Sequence, residues 1–185
     1  MRRRALAAAA GALAAALVAP VCGCGAHTTA PGEVHHAEGT SYRLGPLAPR
    51  WQPHPSDADA SFYDRDLDAM IMVNSECPPA HDAPLEVAAN TLLLGFTERQ
   101  MLKSELVPLA GREALHRRLR AKLDGAPLAL DLFVLKKDGC LYDLVYLAPP
   151  DRAGRGAPDF ERFVAGFDTV TIGAERLARR SPEPR

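Results

Sequence analysis

Several groups of side chains in this sequence have the types and spacing for chemistry. Cys77 and Cys140 are the only cysteines beyond residue 24. In an oxidising compartment two such thiols can form a structural bridge; otherwise they stay free and buried, and the sequence leaves both outcomes open. His116, Arg118, Arg120 and Lys122 form the densest basic patch. It suits an anionic group such as a lipid phosphate or acidic glycan, held beside Tyr142 and Tyr146. The plainer reading is a solvated strand balanced by Asp131. Asp64, Asp66 and Asp68 repeat the opening of a calcium loop, but Ala69 stands where such a loop needs glycine and Ser75 where it needs glutamate. A solvated hairpin turn is expected there. His27, His35 and His36 lack a carboxylate partner or rigid frame, so they are expected to stay solvated rather than bind metal. The chain has no Gly-x-Ser-x-Gly elbow, His-Glu-x-x-His pair, phosphate-binding glycine loop or dinucleotide fingerprint. The expectation is a protein that is not an enzyme and needs no cofactor.

The positioning elements start after an address. Arg2, Arg3 and Arg4 precede an apolar run from Ala5 to Val18, closed by Pro20. The run is too short to span a membrane, which takes about 20 residues, and reads as a secretory signal over residues 1–23. Its end, Val21-Cys22-Gly23-Cys24, resembles a bacterial lipobox, which makes Cys24 the expected lipidation (palmitate) site. Gly25 and not an acidic residue directly follows Cys24, which points to the outer membrane. Beyond the leader, 19 Lys and Arg face 23 Asp and Glu, a net charge of -4. A nucleic-acid binder held by bulk positive charge is thereby excluded. Residues 24–40 read as a flexible tether, 41–174 as one domain, and 175–185 as a frayed tail.

Within the domain, Ser41–Leu47 is a strand candidate leading to Trp51. Ser61–Tyr63 and Ala69–Asn74 are expected to pair around the acidic turn. Asp82 can cap a helix from Pro84, in which Leu85, Ala88, Ala89 and Leu92 share a face. A second helix carries Phe160, Phe163, Val164 and Phe167 behind Pro158 and Asp159. Between them, Met101–Val107 is a strand ended by Pro108. Glu113–Leu123 has good helix formers, but Asp124-Gly125 and Asp138-Gly139 are hairpin signals and the flanking segments alternate. Three strands are therefore expected at Glu113–Leu123, Leu128–Lys136 and Leu141–Leu147.

Pairing those strands tests itself by parity. One face collects Leu115, Leu119, Ala121, Leu128, Leu130, Leu132, Val134, Val145 and Leu147. The other collects His116, Arg118, Arg120, Lys122, Asp131, Phe133, Leu135, Tyr142, Leu144 and Tyr146. The first face is nearly all apolar, as a fixed register requires. Asp131 falls opposite Arg118 or Arg120, depending on loop length. Arg117 and Asp143 share the apolar face, as a buried pair or at its ends. Both faces need cover, so the expected fold class is α/β (α+β): an antiparallel sheet covered by helices on both faces.

That order of elements, with Trp51, Phe62, Gly111-Arg112-Glu113-Ala114, Lys137-Asp138-Gly139, Leu141-Tyr142-Asp143 and a Phe-rich last helix, resembles the PsbP-like fold. Photosystem II extrinsic PsbP proteins, the nuclear Ran-release factor Mog and several bacterial envelope lipoproteins share it. The resemblance covers roughly residues 41–170 and implies a small, non-enzymatic binding or accessory protein. It assigns no partner-contacting residue in this chain. The expected function is therefore a lipid-anchored accessory to an envelope protein partner. A carrier of an amphipathic or anionic ligand is the alternative, and a hydrolase the third.

Overall fold

The computed structural model describes residues 34–37, 39–77 and 83–170. Three two-residue turns organise it. Ala110-Gly111, Asp124-Gly125 and Asp138-Gly139 each place both residues at positive φ, between 49° and 83°. Such turns match the right-handed twist of the strands they join. They link four long strands into a meander: β6 (Thr97–Leu109), β7 (Arg112–Leu123), β8 (Ala126–Lys137) and β9 (Cys140–Ala148). Residues 113–123 are thus strand, hydrogen-bonded beside 126–135. Their helix propensity loses to the apolar face that pairing assembles.

The rest of the sheet is β3 (Gln52–Pro53), β4 (Ala60–Asp64) and β5 (Ala69–Glu76), giving the order β3-β4-β5-β9-β8-β7-β6. A small second sheet orders β1 (Val34–Ala37), β2 (Thr40–Arg43) and β10 (Asp168–Thr169) as β1-β2-β10. All the pairings are antiparallel.

The two helices lie on opposite faces. Ala89 and Leu93, on and just past α1 (Leu85–Leu92), pack with Leu115, Leu119, Leu130, Leu132, Val134 and Val145. On the other face, α2 (Ala153–Ala165) seats Phe160, Phe163 and Val164 against Ile71, Val73, Leu144 and Tyr146. Phe160 and Phe163 are fully buried; each such side chain contributes about 1.5–3 kcal/mol. Gly45 lets α2 come close: its amide donates to the Phe163 carbonyl at 2.9 Å. A Cβ at Gly45 would lie 2.7 Å from the Arg162 carbonyl carbon, too close to coexist with that contact.

Four boundaries differ from those expected. Val34–Ala37 belongs to β1 and pairs with β2, so the end of the expected tether is part of the fold. α1 begins at Leu85 with Pro84 at its cap position and no side-chain cap; Asp82 lies outside the described residues. α2 begins a turn and a half before Pro158, which sits inside it. Gly156 and Asp159 are buried on its inner side, and packing of that extra turn outweighs the one backbone donor that proline lacks. β6 runs through Pro108 to Leu109 because it is the sheet edge, where a missing amide need not break a ladder. The signal, residues 24–33 with Cys24 and His27, and the tail lie outside the described residues.

Candidate functional site

The basic patch and the two tyrosines do share one sheet face, but they are not free to receive a ligand together. Register places Asp131 opposite Arg118. Its two oxygens accept from His116 Nε2 at 2.7 Å and Arg118 Nε at 2.6 Å. His116 and Asp131 are both buried, and the His116 ring stacks on Phe133 with centroids 4.0 Å apart. Arg118 also donates to Glu161 of α2 at 2.9 Å, and Lys122 to Glu98 at 2.8 Å. Arg120 is exposed. Arg118 and Lys122 thus have acidic partners, and His116 and Asp131 are buried rather than part of a solvated strand.

Tyr142 and Tyr146 are inside the core. Tyr146 is 2 % exposed, donates to the Ala153 carbonyl at 2.9 Å, and meets Trp51 edge-on and Phe160 face-on. Burial pushes its hydroxyl up to about 12. Tyr142 is fully buried, its hydroxyl 2.6 Å from Thr40 Oγ1, and burial raises it too. The space between helix and mixed face is filled by aromatic rings.

A second ionic cluster ties α2 to the other end of the sheet. Asp159, 4 % exposed, accepts from Trp51 Nε1 at 2.9 Å and is paired with Arg50 and Arg162. Arg50 Nε also reaches Asp64 at 2.8 Å. Asp64 is 1 % exposed, and its Oδ1 accepts from the amides of Asp66 and Leu67. The first aspartate of the acidic turn is therefore a buried anchor, not a solvated group. Among the described residues, no group of three His, Cys, Asp or Glu side chains is arranged to hold a metal ion.

On the α1 face, Arg117 and Asp143 do not form the pair that parity allowed. Arg117 donates to Asn90 Oδ1 at 2.8 Å and to Ser104 Oγ at 3.3 Å. Asp143 Oδ1 is buried without a hydrogen-bond partner among the described residues. Desolvation first, and the charge of Glu76 second, push its carboxyl up to about 7. His36 Nδ1 meets Ser41 Oγ at 2.8 Å, but Ser41 is buried and no carboxylate hydrogen-bonds His36 among the described residues. Cys77 and Cys140 are joined in a disulfide across 63 residues.

The feature that sequence reading missed is a surface. The exposed large hydrophobics of the described residues are Val87, Leu94, Met101, Leu102 and Leu106. All lie on α1, the turn after it, or β6. An open groove of about 450 Å³ between these elements is lined by Asn90, Leu93, Leu94, Arg99 and Met101. Leu94 is 74 % exposed. The signal was present as apolar residues in a strand that has no second neighbour among the described residues.

Sheet, helices and register define a PsbP-like fold, in the α+β class. No protein-family model matches the chain, and no curated protein matches it by sequence. Solved structures do match. CyanoP, the PsbP of the cyanobacterium Synechocystis, is 15% identical with a TM-score of 0.54, over 82% of this chain and 100% of that one. LpqN, involved in cell envelope biogenesis of Mycobacterium tuberculosis, is 15% identical with a TM-score of 0.54, over 75% of this chain and 89% of that one. A Bacteroides thetaiotaomicron protein is 13% identical with a TM-score of 0.53, over 80% of this chain; this chain spans half its length. No described helix is long and apolar enough to cross a membrane.

Proposed function

We propose that this chain is a lipid-anchored cell-envelope protein that works by binding a protein partner, without catalysis. Cys24 is the anchor, and Gly25 directly after it, in place of an acidic residue, supports the outer membrane. The observation that carries the binding reading is the concentration of exposed apolar side chains on α1 and β6, while Tyr142 and Tyr146 are buried. Patches of this kind, rimmed by polar residues, mark protein interaction sites. The disulfide fits an exported protein, and the likeness to an envelope-biogenesis protein adds support. His116, held by Asp131 and stacked on Phe133, has a structural role in this reading.

The test is a photoreactive side chain at position 94 of the full chain in intact envelopes. A distinct envelope protein should crosslink at 94 and not at the exposed Arg65, in the turn between β4 and β5. Adducts with lipid alone would replace the reading with the carrier, and no adduct at all would overturn it.

A further inference from the structure

Among the described residues β6 is the long edge of the seven-stranded sheet, paired with β7 on one side only. The opposite edge is β3, two residues long. A long edge strand presents a row of unpaired amides and carbonyls, and natural proteins blunt such edges with charge, proline or bulges. β6 has those devices at its ends. Register shifts fall between Thr97 and Gln100 and between Met101 and Lys103, and Pro108 lies near the other end. The stretch between them, Lys103–Val107, is regular and has exposed Leu106, with exposed Leu102 adjoining.

We infer that β6 is a self-association edge: two copies pair antiparallel through residues 102–106, with Ser104 on the two-fold axis, and continue the sheet. Charge decides the register. A two-fold axis at Lys103 or at Glu105 would set like charges opposite each other, which destabilises a strand pair. An axis at Ser104 sets Lys103 against Glu105 of the second copy, twice, and Leu102 against Leu106 of the second copy, twice. Within one chain Lys103 Nζ and Glu105 Oε1 already lie 2.7 Å apart on the exposed edge, so both charges sit where a second copy would meet them. Leu106, opposite Leu115, is on the α1 side of the sheet. The pairing therefore covers exposed Leu106 and Leu102 at the strand edge and leaves Val87 and Leu94 to the partner proposed above. The inference goes beyond the reading of this surface given above: it stands on the strand edge and its charges and names a second copy as the occupant of that edge.

The test uses two charge variants of the full chain, extracted in detergent and followed by sedimentation equilibrium. The unmodified chain should dimerise. Lys103→Glu and Glu105→Lys each place like charges at both cross-copy contacts and should weaken dimerisation at least about tenfold. Mixed in equal amounts, the two variants should dimerise again, because each Glu then meets a Lys. Neither variant regains its own intrachain pair in the mixture, so recovery reports contact between copies. An unmodified chain that stays monomeric up to about 100 µM, or a mixture that stays as weak as its parts, would overturn the inference. Failure here with envelope-protein adducts at position 94 intact leaves the binding reading standing. A dimer without such adducts does the reverse.

Discussion

The ring of Tyr146 occupies the space that a side chain at Gly156 would need. A Cβ built at Gly156 would lie 2.9 Å from Tyr146 Cζ, and the tyrosine hydroxyl reaches past it to the Ala153 carbonyl. Through this contact α2 closes over the mixed face of the sheet. Gly156→Ala should therefore destabilise the fold by about 1–3 kcal/mol, as overpacking of a tight core does. Chemical denaturation measures it, and an unchanged midpoint would show that α2 is seated less closely.

Asp131 binds two groups of unequal burial. Replacing it with alanine leaves Nε2 of the buried His116 without its partner, so Asp131→Ala should cost about 1–3 kcal/mol. Arg118 is 39 % exposed at its side chain, and Arg118→Gln should cost less than about 1 kcal/mol. Equal losses in the two variants would contradict the assignment of Asp131 as the centre of the cluster.

Asp143 gives stability a pH dependence of defined sign. Below the ordinary carboxyl value of 3.8 the group is protonated in both folded and unfolded chains and contributes nothing. As pH rises, the unfolded chain ionises first, while the folded carboxyl keeps its proton up to about 7. This group therefore lowers stability progressively between pH 4 and 7, and the loss levels off above that. Asp143→Asn should be more stable than the unmodified chain at pH 8, with the difference shrinking toward pH 4. Parallel stability curves for the two proteins would remove Asp143 as the cause.

The Cys77–Cys140 bridge closes a loop of 63 residues. In the chain-entropy account that constraint contributes about 4 kcal/mol. The double variant Cys77→Ala, Cys140→Ala should lose most of it in equilibrium unfolding, and the unmodified chain should react with no thiol reagent at these positions until reduced.

Cys24 is the expected lipid attachment point. An alkynyl fatty acid should label the full chain in cells, Cys24→Ala should lose the label and accumulate with an uncleaved leader, and Cys22→Ala should keep it. Labelling that follows Cys22 instead would move the anchor.

Much of the fold was legible because side-chain alternation is a local property. A residue's parity within β7, β8 and β9 assigns its face, and two Asp-Gly turns lock the three strands in phase, so Leu115, Leu130 and Val145 had to share one face and Tyr142 and Tyr146 the other; which helix covers which face came from the structure. Opposing Arg118 to Asp131 needed only the turn length, which the structure supplied. Other features depend on what packs from a distance. α2 extends back through Pro158 because Tyr146 and Trp51 receive its first turns, and no periodicity within residues 153–158 records that. The tyrosines proposed to border a ligand are aromatic wherever they sit; only the arrival of Phe160 and Phe163 makes them core. Asp64 looked like a solvated turn residue until Arg50 was brought beside it.

By itself the sequence determined the strand faces, the hairpin turns, the cover on both sides and the candidate leader, because each is written in residues close together in the chain. Only the tertiary structure decided which charges are spent on one another and which apolar side chains are left over. Those outcomes depend on strand order, and the end of that order leaves β6 with one neighbour among the described residues.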